Sequence, residues 1–350
     1  MGEMSFEIAG RRIGPGEPPY VVAEMSANHG ADYRQAVAVL EAAVEAGVDA
    51  VKLQTFTADT LTIDSQSACF RIEGTDWDGY TLYRLYREAA MPWEWQPKLK
   101  RRADDLGVTL FSTPFDAMAV DFLETIDVPA YKVASFELID LSLLRRVGQT
   151  GKPVLLSTGM ATVDEIEEAI ETVRAAGGGP IALLKCTSAY PATAESMHLR
   201  TIPDMAERFG VPIGLSDHTL DTTVPVAAVA AGACIVEKHV TLSRETPGLD
   251  RSFSLEPDEL KQVVRAVRTA HAAMGSVRYG GTAEEDAGRR FRRSLFVVED
   301  IRAGEAFTEQ NVRSIRPAGG LAPRHLDDVL GRTARVDIAR GTPLGWDDIK

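Results

Sequence analysis

Cysteine is scarce in this chain of 350 residues, which contains only Cys69, Cys186 and Cys234. An odd number of scattered cysteines argues against a disulfide-stabilised scaffold and against a cysteine zinc cluster. Long apolar stretches are also lacking, because no run of 18 apolar residues occurs and residues 1–20 hold no apolar segment typical of a secretory signal. We therefore expect a cytoplasmic protein without a membrane span.

Basic residues are in deficit. The chain has 38 Lys and Arg against 51 Asp and Glu, which gives a net charge of −13. Proteins that bind nucleic acid usually present a basic surface, so we expect no nucleic acid partner. Small anions remain possible ligands, because they respond to local charge rather than to the net charge of the chain.

Short apolar runs rich in β-branched residues alternate with amphipathic stretches. We count eight runs, at residues 21–28, 50–56, 109–115, 130–135, 153–160, 181–190, 211–219 and 234–242. Strands that alternate with helices form parallel sheets with right-handed crossovers, and eight units in about 250 residues is the size of a TIM barrel. The sequence predicts an α/β fold with a (β/α)8 barrel over residues 1–280.

Two stretches depart from the alternation. Residues 57–81 are rich in Thr, Asp and Gly and predict a long loop over the barrel mouth, where function concentrates. Residues 275–288 are rich in Gly and charge and predict a linker. The short strands and turns that follow predict a small, mostly β domain over residues 281–350. A domain of this size is marginally stable, so it is expected to pack on the barrel or on a partner subunit.

Lysine is disfavoured within strands, yet four lysines lie inside or at the ends of the predicted strands: Lys52, Lys132, Lys185 and Lys238. Active sites of TIM barrels form at the carboxyl ends of the strands, so converging lysines predict a small, strongly anionic ligand. The alternative is a set of salt bridges inside the barrel with Glu24 or Glu237. Period-2 alternation puts Lys238 on the face opposite Glu237, and Lys238 is therefore left out of the predicted site.

His218 and His239 stand at the ends of neighbouring predicted strands. Two imidazoles on adjacent strand ends can reach one divalent ion such as Mn²⁺, Fe²⁺, Co²⁺ or Zn²⁺, which would act as a Lewis acid on a carbonyl. The alternative is that both are hydrogen-bonded polar residues of the barrel mouth. Glu24 ends the first strand and is a candidate general base, a role compatible with charge pairing to Lys52.

Seven motifs in order resemble the sialic acid synthase family. They are VAEMSANH at 22–29, VKLQT at 51–55, FSTPF at 111–115, LSTGM at 156–160, KCTSAYP at 185–191, GLSDHT at 214–219 and EKH at 237–239. The segment from residue 291 to residue 350 resembles the antifreeze-like (SAF) domain of that family. The resemblance covers nearly the whole chain. It implies condensation of phosphoenolpyruvate with an amino-sugar aldehyde.

The resemblance also implies roles for individual residues. Those matched to phosphoenolpyruvate binding are Lys52, Thr113, Lys132, Ser135, Ser157, Ser188 and Ser216. Those matched to positions near the sugar are Gln54, Glu137, Tyr190, Asp250 and Arg316. Glu24 matches the catalytic carboxylate, and His218 and His239 match the ligands of a divalent metal, usually Mn²⁺, with Mg²⁺ or Co²⁺ as other choices. Arg316 matches an arginine that one subunit places over the site of the other, which implies a domain-swapped homodimer.

Within the family, the sequence is most similar to the branch that makes pseudaminic acid. N-acetylneuraminate synthases tend to have Ile-Gly where this chain has Met25-Ser26, and Gly-Ser-Gly-Glu where it has Ala134 to Glu137. We therefore expect 2,4-diacetamido-2,4,6-trideoxy-L-altrose as the acceptor and pseudaminate and phosphate as products, formed by C–O cleavage. The alternatives are an N-acetylneuraminate or legionaminate synthase, an aldolase or lyase that uses the same metal barrel, and a non-catalytic sugar- or ice-binding protein.

Overall fold

The computed structural model describes residues 5–74, 77–246 and 248–350. The chain divides into two compact units, Met1–Gly275 and Ser276–Lys350. Among the described helices, none is both long enough and apolar enough to cross a membrane.

Eight parallel strands of the first unit close into a barrel. Their spatial order follows the chain, and the last strand pairs with the first. An antiparallel hairpin, β1 (Phe6–Ile8) and β2 (Arg11–Ile13), precedes them. The barrel strands are β3 (Tyr20–Glu24), β4 (Ala50–Thr55), β5 (Thr109–Pro114), β6 (Tyr131–Val133), β7 (Val154–Ser157), β8 (Ile181–Cys186), β9 (Ile213–Asp217) and β10 (Ile235–His239).

At least one α-helix follows each barrel strand, and three follow β4. The helices of this unit are α1 (Tyr33–Ala46), α2 (Ala58–Leu61), α3 (Leu82–Ala89), α4 (Gln96–Leu106), α5 (Ala117–Thr125), α6 (Leu141–Gly148), α7 (Val163–Ala175), α8 (Thr201–Phe209), α9 (Thr223–Ala230) and α10 (Pro257–Met274). This is the TIM barrel that the alternation of strand and helix patterns predicts.

The strands are apolar on both faces because both faces are covered. Along β3, Tyr20 and Val22 belong to one buried cluster, whereas Val21 and Ala23 pack in a second cluster with Leu40 of α1. Successive side chains of a strand point to opposite faces, so polar residues at every second position of a strand end point into the barrel mouth. This register decides which side chains can form a site.

The amino-terminal hairpin covers one end of the barrel. Phe6, Ile8 and Ile13 are buried in the same cluster as Tyr20, the first residue of β3. The apolar hairpin therefore closes the end at which the strands begin, and the end at which they finish carries the polar residues.

The eight predicted strands are all present, but most are shorter than their apolar runs. The run 181–190 ends as a strand at Cys186, and the run 153–160 ends at Ser157. The predicted loop over 57–81 contains α2 and a 3-10 turn at Ala68–Phe70, while residues 75 and 76 lie outside the described residues. The short helix α3, which follows this excursion, is not among the helices that the sequence patterns predicted.

The second unit is small and built largely from extended segments. Its regular strands are β11 (Ser294–Val297) and β12 (Val312–Ile315), which form an antiparallel pair, and its helices are α11 (Ala283–Asp286) and α12 (Leu326–Val329). Isolated bridges such as Ile301 with Ile338 extend the pairing. Leu295, Phe307 and Leu344 belong to its own buried core. The small, mostly β domain predicted from the sequence is confirmed.

Candidate active site

A cavity of about 460 Å³ opens where the barrel strands end. Eleven of the residues singled out from the sequence line it: Lys52, Gln54, Lys132, Ser135, Glu137, Ser157, Tyr190, Ser216, His218, His239 and Asp250. Three others contact that lining or lie close to it: Glu24, Thr113 and Ser188. Arg316 belongs to the second unit. The site predicted from scattered motifs is therefore assembled in one place within the barrel unit.

Lys52 is at the centre of a buried ionic network. Its Nζ atom lies 2.6 Å from Oε2 of Glu24 and 3.6 Å from Oε1 of Glu237, and it donates to Oγ1 of Thr113 at 3.1 Å. Glu24 is fully buried, and its other carboxylate oxygen, Oε1, accepts a hydrogen bond at 3.0 Å from the amide of Gln54. Lys52 thus forms the salt bridges that were considered as an alternative, and the same geometry places its ammonium group at the cavity.

A second lysine, Lys132, approaches the same oxygen of Glu237. Its Nζ atom donates to Oγ of Ser157 at 2.6 Å and lies 3.9 Å from Oε1 of Glu237. Ser216 donates to that same carboxylate oxygen at 3.2 Å. Two ammonium groups and the hydroxyl of Ser216 therefore converge on one carboxylate oxygen, which is the type of donor set that binds phosphate and carboxylate oxygens.

Burial and neighbouring charges act in opposite directions on these groups. Burial raises the pKa of Glu24 despite the attraction of Lys52. Burial alone would raise the pKa of Glu237, but Lys132 and Lys52 outweigh it and lower that pKa. Burial lowers the pKa of Lys132, whereas the two carboxylates outweigh burial at Lys52 and raise its pKa. Shifts of this kind arise where charges converge in a shielded cleft.

Hydroxyl groups line the cavity on the side of β6, β7 and β8. The amide of Gly159 donates to Oγ of Ser135 at 3.0 Å, and Sγ of Cys186 lies 3.9 Å from Oγ of Ser188. A Cβ atom added at Gly159 would meet Oγ of Ser188 at 2.3 Å and Oγ of Ser135 at 2.8 Å. An alanine at this position would therefore have to push both hydroxyls aside.

His218 and His239 face each other across the end of β9 and β10, with ring centroids 5.2 Å apart. Nδ1 of His218 pairs with the carbonyl oxygen of Thr187 at 2.9 Å, an arrangement that leaves Nε2 as the ring nitrogen available to a metal. Nδ1 of His239 is buried without a hydrogen-bond partner among the described residues. Burial holds the pKa of His239 well below its usual value, so this ring is neutral, as a metal ligand must be.

These two imidazoles fit a divalent ion that keeps open positions for substrate. No group of three or more His, Cys, Asp and Glu side chains in the described part of the chain has the geometry of a complete metal cage. A two-imidazole site with remaining positions left to water or substrate is compatible with Mn²⁺ and its neighbours in the first transition series.

Aromatic side chains cover the side of the cavity that His218 and His239 form. The ring of Tyr190 lies 4.4 Å from that of His218 and 5.0 Å from that of Phe253, measured between centroids. Trp77 lies 5.9 Å from Tyr190 and donates through Nε1 to the carbonyl of Leu249 at 2.9 Å. The excursion between β4 and α3 thereby contributes to the wall of the cavity, in agreement with the position predicted for it.

One strand lysine does not belong to the site. Nζ of Lys185 donates to Oγ1 of Thr187 at 2.7 Å and to the carbonyl of Cys186, and among the described residues it is Cys186 rather than Lys185 that lines the cavity. The prediction that Lys185 converges with Lys52 and Lys132 is wrong, because strand alternation turns it outward. The same alternation correctly excluded Lys238, which pairs with Asp217 at 2.9 Å.

Several cavity residues were not among the predicted site residues. Ser26, Cys186 and Phe253 line the cavity, and Glu237, considered only as a salt-bridge partner, is the point on which both lysines converge. The inward register of β8 and β10 could have identified Cys186 and Glu237. Phe253 lies in a loop 14 residues beyond His239, and no local pattern marks it.

The family model described as NeuB family matches residues 39–279, and the SAF domain model matches residues 292–350. The chain belongs to the NeuB family. A pseudaminic acid synthase from Helicobacter pylori is 41% identical over 335 residues, which cover 95% of this chain and 98% of that protein. An N,N'-diacetyllegionaminic acid synthase from Legionella pneumophila is 33% identical over 336 residues, covering 95% of this chain and 94% of that protein.

A solved NeuB-type structure agrees with the fold. The N-acetylneuraminic acid synthetase of Leptospira borgpetersenii, solved in complex with citrate, gives a TM-score of 0.73 at 28% identity and covers 81% of this chain and 94% of that chain. NeuB proteins of this type are phosphoenolpyruvate-dependent synthases that generally use a divalent metal. This NeuB chain is accordingly an enzyme, and its class is nonulosonate synthase.

Proposed function

We propose that this enzyme condenses phosphoenolpyruvate with 2,4-diacetamido-2,4,6-trideoxy-L-altrose in the cytoplasm, giving pseudaminate and phosphate. The observation that carries the choice of sugar is the identity of 41% over 95% of the chain to a pseudaminic acid synthase, against 33% to a legionaminic acid synthase. A legionaminate or N-acetylneuraminate synthase is the second candidate, supported by that lower identity.

The cavity wall supports a sugar of the 2,4-diacetamido-2,4,6-trideoxy class, to which the proposed acceptor belongs. Apolar side chains from the β4–α3 excursion, α3 and the loops after β5 and β6 form much of the wall: Leu61, Ile72, Leu82, Leu85, Tyr86, Phe115 and Phe136. The proposed acceptor carries two acetyl methyl groups and a methyl at carbon 6, which gain free energy from burial against such a wall. A sugar with more hydroxyls would leave donors unpaired there.

The polar floor of the cavity suits the other substrate. We assign phosphoenolpyruvate to the donors Lys52, Thr113, Lys132, Ser135, Ser157, Ser188 and Ser216. Lys52 and Lys132 supply the positive charge, and Ser157 and Ser216 are already hydrogen-bonded within their network. A preorganised donor set lowers the cost of binding a trianionic ligand and fixes the position of its reacting carbon.

The reaction joins carbon 3 of phosphoenolpyruvate to the aldehyde carbon of the sugar. Water then adds to carbon 2, and the bond between carbon 2 and the bridging oxygen breaks to release phosphate. A divalent ion, Mn²⁺ by preference, held by His218 and His239 would polarise the aldehyde carbonyl. Glu24 accepts a proton from the attacking water, a role for which its raised pKa suits it, while Gln54 orients its carboxylate.

The acceptor lies on the side of the cavity formed by Gln54, Glu137, Tyr190 and Asp250. We further propose a domain-swapped homodimer, in which Arg316 from the second unit of one subunit completes the sugar site of the other. Mixing two inactive variants, Glu24→Gln and Arg316→Ala, tests this arrangement. Subunit exchange restores one intact site in each mixed dimer, so up to about a quarter of wild-type activity returns. Absence of any recovery after verified exchange contradicts the shared site.

Phosphate release from phosphoenolpyruvate in the presence of Mn²⁺ tests the reaction and the sugar together. Turnover with the diacetamido altrose and none with N-acetylmannosamine supports the pseudaminate assignment, whereas the reverse moves the enzyme to the sialate branch. In water labelled with ¹⁸O, C–O cleavage places the label in the sugar product. Label found in phosphate instead contradicts that route.

A further inference from the structure

Ser26 has a backbone conformation that serine rarely adopts. It follows β3 after one residue, begins a 3-10 turn, and has φ of 47°. Glycine is the usual residue where the chain must take a positive φ, because other residues bring Cβ too close to the backbone. Six non-glycine residues of the described chain have positive φ, and Ser26 is the one of them that lines the cavity.

The side chain of Ser26 connects two groups of the site. Its hydroxyl donates to Oδ2 of Asp250 and accepts from Nε2 of Gln54 at 2.9 Å. The backbone amide of Ala27 donates to that same oxygen of Asp250 at 3.2 Å. Ser26 itself is only 5% exposed, which limits the access of water to its hydroxyl. A single hydroxyl is thus held between a carboxylate and an amide that both line the cavity.

Only one assignment of donors and acceptors is consistent with these hydrogen bonds. The amide of Gln54 has two hydrogens, and it donates one to Oε1 of Glu24 at 3.0 Å and the other to Ser26. Ser26 must therefore donate its own hydrogen to Asp250. Gln54 therefore donates to both Glu24 and Ser26, and Ser26 donates to Asp250. Oδ1 is the oxygen of Asp250 that can accept from a ligand.

We infer that Ser26 is a positioning residue that sets the affinity of the site for the sugar aldehyde, by fixing the carboxylate of Asp250 and the amide of Gln54. This inference rests on the proposed function for placing an amino-sugar aldehyde beside Asp250. It adds a residue whose effect is transmitted through Asp250 and predicts that the effect falls on binding of the sugar rather than on binding of phosphoenolpyruvate. Phosphoenolpyruvate binding, which depends on Lys52 and Lys132, is not affected.

Two substitutions separate the hydroxyl from the backbone conformation. Ser26→Ala removes Oγ but keeps Cβ at a positive φ, whereas Ser26→Gly removes Oγ and relieves the backbone. Ala9→Gly is the matched control, because Ala9 also has a positive φ, of 48°, and lies in the turn between β1 and β2, outside the cavity. The acceptor is whichever diacetamido sugar or N-acetylmannosamine the wild-type enzyme turns over. If the altrose proves not to be the acceptor, the Ser26 variants can therefore still be compared with the wild-type enzyme.

Both Ser26 variants are expected to raise KM for the aldehyde about tenfold, equivalent to about 1.4 kcal/mol, with KM for phosphoenolpyruvate within about twofold of wild type. Ala9→Gly leaves both values unchanged. A double-mutant cycle with Asp250→Asn tests the route of the effect, and the two substitutions should be clearly non-additive in KM for the aldehyde. An unchanged aldehyde KM in Ser26→Ala, an equal rise in both KM values, or additivity in the cycle each overturns the inference.

Discussion

The imidazole rings of His218 and His239 lie 5.2 Å apart at the ends of two neighbouring strands, and one is anchored by a carbonyl while Nδ1 of the other has no partner in the described structure. The carbonyl of Thr187 fixes the tautomer of His218. In the proposed reaction, these two rings are the nitrogen ligands of the divalent ion that activates the aldehyde.

Replacement of His239 by alanine should abolish tight Mn²⁺ binding, because one imidazole cannot hold the ion alone. The measurement is the electron paramagnetic resonance signal of free Mn²⁺ during titration of the enzyme, which does not depend on turnover. His271→Ala is the control, since His271 lies in the last turn of α10. If His239→Ala binds Mn²⁺ as tightly as the wild-type enzyme does, His239 is not a ligand of the ion.

Lys132 and Lys185 are both strand lysines, but only the first points into the cavity. Lys132→Met should raise KM for phosphoenolpyruvate at least tenfold, because hydrogen bonds to charged groups contribute about 1.5–3 kcal/mol. Lys185→Met should change it by less than about twofold, since this lysine bonds only Thr187 and its neighbour's carbonyl among the described residues. Steady-state kinetics of the pair test the register of β6 and β8, and similar losses in both variants would contradict it.

Gly159 should not tolerate a side chain. The methyl group of Gly159→Ala would displace the hydroxyls of Ser135 and Ser188, so KM for phosphoenolpyruvate should rise about tenfold, or about 1.4 kcal/mol. Gly288→Ala is the control, because nothing lies within 4 Å of a Cβ at that position. If Gly159→Ala binds the substrate normally, the serines are not part of its site.

Glu137 should make the stability of the enzyme depend on pH. Burial raises the pKa of its carboxyl from 4.5 to about 7 in the folded state. The folded state then binds the proton more tightly, so this contribution to stability is complete below pH 4.5 and is lost as the pH rises through about 7. The substitution Glu137→Gln removes the titrating carboxyl and therefore abolishes this loss of stability at higher pH.

The melting temperature of Glu137→Gln relative to wild type should accordingly increase between pH 4.5 and pH 7 and level off above it. Differential scanning calorimetry across this range measures the difference. Glu167→Gln, on the exposed face of α7, controls for a general effect of charge removal. A difference that does not vary with pH would show that the carboxyl of Glu137 titrates normally.

The barrel could be predicted from sequence because its signals are local. Each strand is a short apolar run, and Gly47, whose φ of 86° favours glycine, ends α1. Strand lengths were overestimated, because the residues after Ser157 and Cys186 stay apolar or small while they leave the sheet to form the mouth. Helix α3 was missed because it directly follows an excursion whose composition resembles a loop.

The site was predictable where the strand register was applied and unpredictable where contacts are distant. Alternation excluded Lys238 correctly, and the same rule would have excluded Lys185. The bond between Ser26 and Asp250 joins residues 224 positions apart, and no spacing rule reports such a contact. The positive φ of Ser26 could not be predicted from the sequence either, because glycine rather than serine is the residue that usually indicates this conformation.

The pairing of Lys52 and Lys132 with Glu24 and Glu237 has a consequence for the resting enzyme. Two ammonium groups and two carboxylates cancel formally, so the closed end of the cavity carries no uncompensated charge between turnovers. In the proposed reaction, an arriving anion must compete with the protein's own carboxylates for the lysines. Substrate binding is then an exchange of counter-ions at the lysines. Glu24 is released from Lys52, and becomes able to take a proton, only while the substrate anion pairs with Lys52 instead.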